Sequence, residues 1–303
     1  MTPATPVTQL VWNGLFVGSF YALVALGYSM VYGIVRLLNF AHGDLYMLGA
    51  FVGFAILGAT GGVSPAMTLP VLLAVLLVTM LVTGLAGVVL ERIAYRPLRR
   101  APRLSLLITA VGASFALEYG MRAAAGADPR VYPLRLGGTP MEVLGARLTL
   151  QQLVLVGVAV ALMAGLDLLV TRTGEGRAMR AVALDPRTSS LMGIDVDAVI
   201  TRTFFLGSAL AGGAGVMAGA YYGKIDFLMG FLIGLKAFTA AVIGGIGNIP
   251  GTMLGGLLLG LLESFGTFWL GGEWRDVFAF GVLILFLTVR PTGLLGERVA
   301  ERV

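Results

Sequence analysis

Residues 175–197 read EGRAMRAVALDPRTSSLMGIDVD, the one long polar segment held between two strongly apolar runs, 150–170 and 203–222. Arg177, Arg180 and Arg187 stand there beside Ala178, Ala181 and Ala183, and the segment closes on Gly193-Ile194. Residues 175–183 are good helix formers apart from Gly176. Pro186 stands where a second short helix starts, with Asp185 as its N-cap. The reading is helix, cap, helix: a compact amphipathic body held under a membrane. Met179, Val182 and Ala183 are placed to enter a groove on a partner, with Arg180 and Arg187 at the rim. The alternative is a solvated charged loop with no partner.

The flanks decide the class. The chain has 303 residues, 57% of them hydrophobic and 12% charged, with mean hydropathy +0.91. Soluble domains carry about 25% charged residues, twice this share. Too little polar surface is left to cover a water-soluble globule. Apolar runs long enough to cross a bilayer recur throughout. The expected fold is all-α: a single polytopic membrane domain over residues 1–303, with about 8–9 transmembrane helices, some short or broken. The expected spans are 10–35, 44–60, 66–90, 104–121, 150–170, 203–222, 227–246, 251–270 and 274–290. Runs 44–60 and 227–246 are the shortest of signal and read equally as re-entrant helices, which a membrane tolerates only where protein or water covers the backbone.

Orientation follows from the cations. Loop 91–103 holds Arg92, Arg96, Arg99, Arg100 and Arg103, and loop 172–202 holds Arg172, Arg177, Arg180, Arg187 and Arg202. Arg36 and the tail residues Arg290, Arg298 and Arg302 complete 14 of the 21 Lys and Arg residues. If nine spans alternate, all 14 fall on one side, and the positive-inside rule makes that side the cytoplasm. The N-terminus is then outside and the C-terminus inside. Loop 122–149, with four arginines of its own, falls outside. No Lys or Arg precedes Arg36, so the N-terminal stretch lacks the basic region of a secretory signal. Cysteine is absent, which excludes disulfides and thiolate metal sites. The basic pI of about 9.7 reflects loop arginines and points to no nucleic acid.

Glycine is frequent, 44 residues, and often repeats at four-residue spacing: Gly14/Gly18, Gly49/Gly53, Gly215/Gly219, Gly247/Gly251/Gly255 and Gly256/Gly260. Such pairs put a flat strip on one helix face and let backbones approach in lipid. Nucleotide hydrolysis is excluded from this chain by its lysines. Lys224 precedes Ile225 and Lys236 precedes Ala237, so neither fits G-x-x-x-x-G-K-[ST].

Two polar groups lie within the apolar runs. The turn at residues 38–44, LNFAHGD, sets Asn39, His42 and Asp44 between two spans. It reads as a turn near the mouth of a pathway, or as pure helix capping by Asn39 and Asp44. A lone His42 fits a satisfied structural histidine better than a ligand. Glu118, Lys236 and Glu263 lie inside candidate spans, where an ionisable group needs a partner or a function. Pairing of Lys236 with one of the two carboxylates is one reading, and contact with a transported solute is the other.

Segment 175–197 resembles the cytoplasmic loop of ABC importer permeases. Four further stretches extend the resemblance to the branched-chain amino-acid permease family: GYSMVYG at 27–33, LNFAHG at 38–43, GLKAF at 234–238 and GGIGNIPG at 244–251. They span almost the whole chain in the family's order. Leu184, where the family usually has a polar residue, and Ser189-Ser190, where alanine is commoner, depart from its pattern. The resemblance implies a translocation subunit without enzymatic activity or bound cofactor, in the cell inner membrane. ATP and Mg would be held by two ATP-binding cassette subunits. A second permease subunit, identical or similar, and an extracytoplasmic substrate-binding protein would complete the importer. Docking on the ATP-binding subunit would fall to Glu175, Gly176, Arg177, Met179, Arg180, Ala181, Asp185, Arg187 and Gly193. Asn39, His42, Asp44, Glu118, Lys236, Asn248 and Glu263 are the pathway or turn candidates. The cargo implied is a branched-chain or other hydrophobic amino acid, with urea, short amides or another small organic solute as the alternative on the same scaffold. A stand-alone secondary transporter is the rival of a different class.

Overall fold

The computed structural model describes residues 5–36, 38–59, 68–99, 101–134, 140–143, 145–290 and 292–296. Arg100, Arg298 and Arg302 of the cation tally lie outside the described residues. The chain is a bundle of α-helices. In order they are α1 (Thr5–Val35), α2 (His42–Ala59), α3 (Thr68–Leu90), α4 (Arg103–Ala125), α5 (Leu150–Arg172), α6 (Gly174–Leu184), α7 (Pro186–Leu191), α8 (Val196–Tyr222), α9 (Met229–Gly244), α10 (Ile249–Leu270) and α11 (Arg275–Val289). Each of the nine expected spans has its helix. Among the described residues, seven are long and apolar enough to cross a membrane. The other two are α9, with 16 residues, and α11, with 15. At 1.5 Å per residue these reach about 24 Å, short of a hydrocarbon core about 30 Å thick.

Two boundaries differ from expectation for a physical reason. The span expected at 203–222 begins seven residues earlier, because Asp195 caps α8 by accepting the Ala198 N–H at 3.0 Å. Asp197 and Arg202 therefore ride on the helix rather than in the loop. Helix α3 runs on past Leu90 through a π-helical turn, Glu91–Tyr95, and a 3-10 turn, Arg96–Leu98. The loop expected outside the membrane is folded as well. β2 (Met141–Val143) and β3 (Ala146–Leu148) form an antiparallel hairpin, and β1 (Arg130–Val131) pairs with β4 (Lys224–Ile225). Tyr132, Ala146 and Leu148 of this segment are buried in the bundle.

Helices α1 and α8 are buried on nearly all sides, as expected of helices apolar all round. Around them pack α2, α3, α5, α9 and α10, while α4 and α5 expose most of their surface. Close approach at the centre rests on glycine. A Cβ on Gly18 would stand 2.8 Å from the Leu257 Cα, and one on Gly14 would stand 2.7 Å from the Leu261 Cα. Gly256 and Gly260 present the matching bare surface to Ala22, Gly18 and Gly14. The helices run antiparallel at backbone contact, the packing that small residues make possible where lipid offers no hydrophobic drive.

Gly18→Ala is expected to lower the melting temperature of the purified protein, since overpacking costs about 1–3 kcal/mol and a backbone atom cannot turn aside. Gly165→Ala, where nothing lies within 4 Å, should leave it unchanged or raise it, because alanine is favoured by about 1 kcal/mol in a helix interior. Thermal unfolding followed by size-exclusion chromatography compares the two. Equal losses would show that the α1–α10 contact is not the limiting one.

Candidate functional site

Segment 173–195 folds as a two-helix shelf. Thr173 caps α6 by accepting the Gly176 N–H at 3.1 Å. Asp185 ends α6 and caps α7, accepting the Arg187 N–H at 2.9 Å and the Thr188 hydroxyl at 2.5 Å. The Thr188 hydroxyl, then the Thr188 and Arg187 backbone N–H groups, hold the Asp185 carboxyl below the usual carboxylate range. It is therefore ionised at neutral pH, and its cap weakens only as pH falls through that lowered value. Gly193 turns the chain toward α8 at φ +84°, a left-handed backbone that other residues resist.

The buried face of the shelf corrects the sequence reading. Met179 and Val182 do not point to a partner: both are buried in the chain's own core. Gly176 lies beneath the carbonyls of Leu169 and Val170, where a side chain would not fit. Arg180 donates through Nη1 to the Val170 carbonyl and so caps the end of α5. Glu175 pairs with Arg202 of α8 at 2.5 Å. Ala181 is half-buried, and Arg177 and Arg187 are exposed. The outward apolar surface belongs to residues the sequence reading did not choose: Leu184 at 86% exposed, Leu191 at 88% and Met192 at 78%.

Behind the shelf a charged network ties three elements. Asp197 accepts from Arg96 and from Arg99, each at 2.5 Å. Arg99 also pairs with the buried Glu91, whose other oxygen takes the Thr201 hydroxyl at 3.1 Å. Counted only as loop cations in the sequence, these arginines join the end of α3 to the start of α8. The π-helical turn sets Glu91 and Tyr95 inward together.

The turn at 38–44 does not cap α2 through its polar side chains. Asn39 Oδ1 accepts the Tyr95 hydroxyl at 2.5 Å, and Asp44 accepts the Ser114 hydroxyl of α4 at 2.5 Å. Asn39 Nδ2, Asp44 Oδ1 and Glu118 Oε1 are buried without a hydrogen-bond partner. His42 Nε2 stands 3.2 Å from the Val24 carbonyl, which assigns the proton to that nitrogen, and its ring meets Tyr28 edge-on at 4.7 Å. Asn248 is the true side-chain cap: Oδ1 accepts the Gly251 N–H at 2.8 Å and Nδ2 donates to the Leu295 carbonyl at 2.9 Å.

At the other end of the bundle Lys236 is buried to 4% exposure and Glu263 to 3%. They stand 3.3 Å apart. Two further charges that the sequence reading missed complete the group. Asp276 is 2.6 Å from Lys236, and Arg275 pairs through Nε with Glu263. Tyr21 donates to Glu263 at 2.8 Å, and the Lys236 ammonium lies 5.9 Å from its ring centroid. Glu118 forms no ion pair with Lys236; its acidic neighbour is Asp44. Two cations meet two anions, so the cluster is neutral. The missed pair sits at the first turn of α11, at the very start of the span expected at 274–290.

The chain matches the family described as branched-chain amino acid transport system, permease component, over residues 10–287. It is 44% identical over 299 residues to BraD, a high-affinity branched-chain amino acid transport system permease protein of Pseudomonas aeruginosa, covering 97% of each chain. It is 41% identical over the same length to LivH, the protein so described in Escherichia coli K12, again covering 97% of each. A probable branched-chain amino acid transport permease protein of Methanocaldococcus jannaschii is 28% identical, covering 90% of this chain and 88% of that one.

Lys236→Met would strip Asp276 of its 2.6 Å partner while Glu263 keeps Arg275 and Tyr21. Breaking a buried pair costs about 3–5 kcal/mol, and the loss here is smaller because Asp276 is half exposed. The yield of monodisperse protein should fall. Asp276→Asn in that background should restore part of it, and Glu263→Gln should not. Rescue by Glu263→Gln alone would reverse the assignment.

Proposed function

The chain belongs to the branched-chain amino acid transport permease family, and from that premise we propose that it is the membrane subunit of an ABC importer that carries branched-chain or other hydrophobic amino acids into the cytoplasm. It binds no cofactor and performs no hydrolysis. ATP and Mg belong to two ATP-binding cassette subunits, a second permease completes the membrane pair, and an extracytoplasmic binding protein delivers the cargo. The observation that carries the reading is the shelf: a two-helix element fastened to the bundle on one face, with Leu184, Leu191 and Met192 bare on the other. Large apolar side chains left exposed in one short segment that also exposes Arg177 and Arg187 support a protein interface there.

The geometry supports a route for the coupling. Motion of a docked ATPase subunit enters at α6, which is bound to the end of α5 by Arg180 and to α8 by the Glu175–Arg202 pair. Helix α8 packs on α1, α2 and α3. Asp197 couples its first turn to the end of α3 through Arg96 and Arg99. A partner that binds one state of this assembly more tightly than another shifts the population of bundle conformations.

Leu191→Glu is expected to leave the permease monodisperse, to weaken its co-purification with the ATPase subunits, and to lower substrate-stimulated ATP hydrolysis in proteoliposomes at least tenfold. Met179→Glu, which places a charge in the core, should instead reduce folded yield. Normal coupling in Leu191→Glu would remove the shelf from the interface. Absence of any co-purifying ATPase would favour a secondary transporter.

The shelf lies in the cytoplasm in this reading. Because the chain has no cysteine, Ser190→Cys on the exposed face of α7 reports its side without background. A membrane-impermeant maleimide should label it in inside-out vesicles and not in right-side-out ones. The opposite pattern would invert the topology.

A further inference from the structure

A cavity of about 450 Å³ opens at the end of the bundle away from α6 and α7. Helix α5 begins beside Phe16, near the start of α1, and delivers the chain to α6 at the other end. The cavity lies between the start of α1 and the end of α10, and its lining is mixed. Leu10, Val17 and Phe268 are apolar, whereas Asn13, Glu263 and Arg275 are polar or charged. Its volume is within the range of small-molecule sites, which are mostly apolar with a few fixed polar groups.

We propose that this cavity takes the transported amino acid as its zwitterion, and that the zwitterion replaces the internal Arg275–Glu263 pair. The proposal rests on the reading of the chain as an amino-acid permease. The substrate carboxylate meets the Arg275 guanidinium, the substrate ammonium meets Glu263, and the aliphatic side chain lies on the apolar lining residues. Charge dictates the class of ligand. A molecule with one charge of each sign exchanges one ion pair for two and leaves no buried charge unmatched. A carboxylate or an ammonium alone would leave the neutral cluster of two cations and two anions with one uncompensated charge.

The two partners differ in a way that suits the exchange. Glu263 is fixed from behind by Lys236 at 3.3 Å and by the Tyr21 hydroxyl at 2.8 Å, so it keeps its place when Arg275 turns. Arg275 is the more exposed partner, half-buried where Glu263 is buried, and its other contacts, to the hydroxyls of Tyr21 and Tyr222, are long at 3.5 and 3.4 Å. It opens α11 just after Gly271-Gly272, with Gly271 at φ +93°. The planar guanidinium also suits two-point recognition of a carboxylate.

The three tryptophans of the chain, Trp12, Trp269 and Trp274, all neighbour lining residues in sequence, which gives the test its signal. The permease is assembled with its partner subunits but without the binding protein, and tryptophan fluorescence is titrated with L-leucine, 4-methylpentanoate and 3-methylbutylamine. Leucine should give a saturable change. The acid and the amine should give none at a tenfold higher concentration. Arg275→Leu should raise the half-saturating leucine concentration at least tenfold. Thr267→Leu, which narrows the cavity and leaves the ion cluster intact, should do the same if Arg275→Leu does not fold. Leucine uptake by the complete transporter is measured in parallel. Uptake without a fluorescence change, or a change equal for all three compounds, overturns the site alone. Absence of leucine uptake overturns the amino-acid reading and the site with it.

Discussion

Backbone contact between α1 and α10 is the constraint on which the rest of this bundle depends. Gly14 and Gly18 face Gly256 and Gly260 with no side chain between them. At that separation the two helices share a fixed register, and the side chains beyond the glycines are placed by it. Tyr21, leaning toward the start of its own helix as helical side chains do, meets Glu263. At the opposite end Ser29 meets the Gly247 N–H at 2.8 Å and the Thr252 hydroxyl at 2.9 Å. A helix pair in lipid gains nothing from excluding apolar surface, so it is these dispersion contacts and terminal hydrogen bonds that hold it.

Burying charge in such a bundle is costly unless each charge is paired and hydrogen-bonded. The structure meets this condition differently at its two ends. Near the shelf, Glu91 is fully buried and takes both Arg99 and the Thr201 hydroxyl. At the far end, Glu263 collects Lys236, Arg275 and Tyr21, while Asp276 offsets the second cation. Neither group is a single salt bridge. Each gathers helices that are distant in sequence, so its geometry reports on how those helices are arranged. The Asp44–Ser114 bond is a third polar tie, between α2 and α4, and leaves one oxygen of Asp44 without a partner.

How much of this was legible follows from the range of each interaction. Each of the nine apolar runs has its helix, with ends within about five residues except the start of α8, because hydropathy is a local property that the bilayer reads segment by segment. The α6–Asp185–Pro186–α7 unit was legible for the same reason, since its caps lie within three residues of what they cap. Which face of α6 turns inward was not. An amphipathic helix beside a membrane presents the same pattern whether its apolar stripe meets a partner or its own bundle, and Met179 and Val182 meet the bundle. Asn39 and Asp44 look like caps because their partners, Tyr95 and Ser114, lie 56 and 70 residues away. The pairing of Lys236 with Glu263 was legible from scarcity of charge, whereas Asp276 and Arg275 were hidden at a span edge.

The contacts also differ in what they permit to move. A glycine-lined interface at backbone distance has one close-packed arrangement, and sliding it by a residue would drive Leu257 or Leu261 into α1. An ion pair can exchange partners at little net cost when charge is conserved. The α1–α10 pair therefore moves as one body. Exchangeable ion pairs join α11 to α10 through Arg275 and to α9 through Asp276, and join the start of α8 to α6 through Glu175–Arg202 and to the turn after α3 through Asp197–Arg96. These lie at opposite ends of the bundle, and α8 and α1 run between them, buried over most of their length. The shelf touches α5 as well as α1 and α8, so each of the three helices links it to the far end.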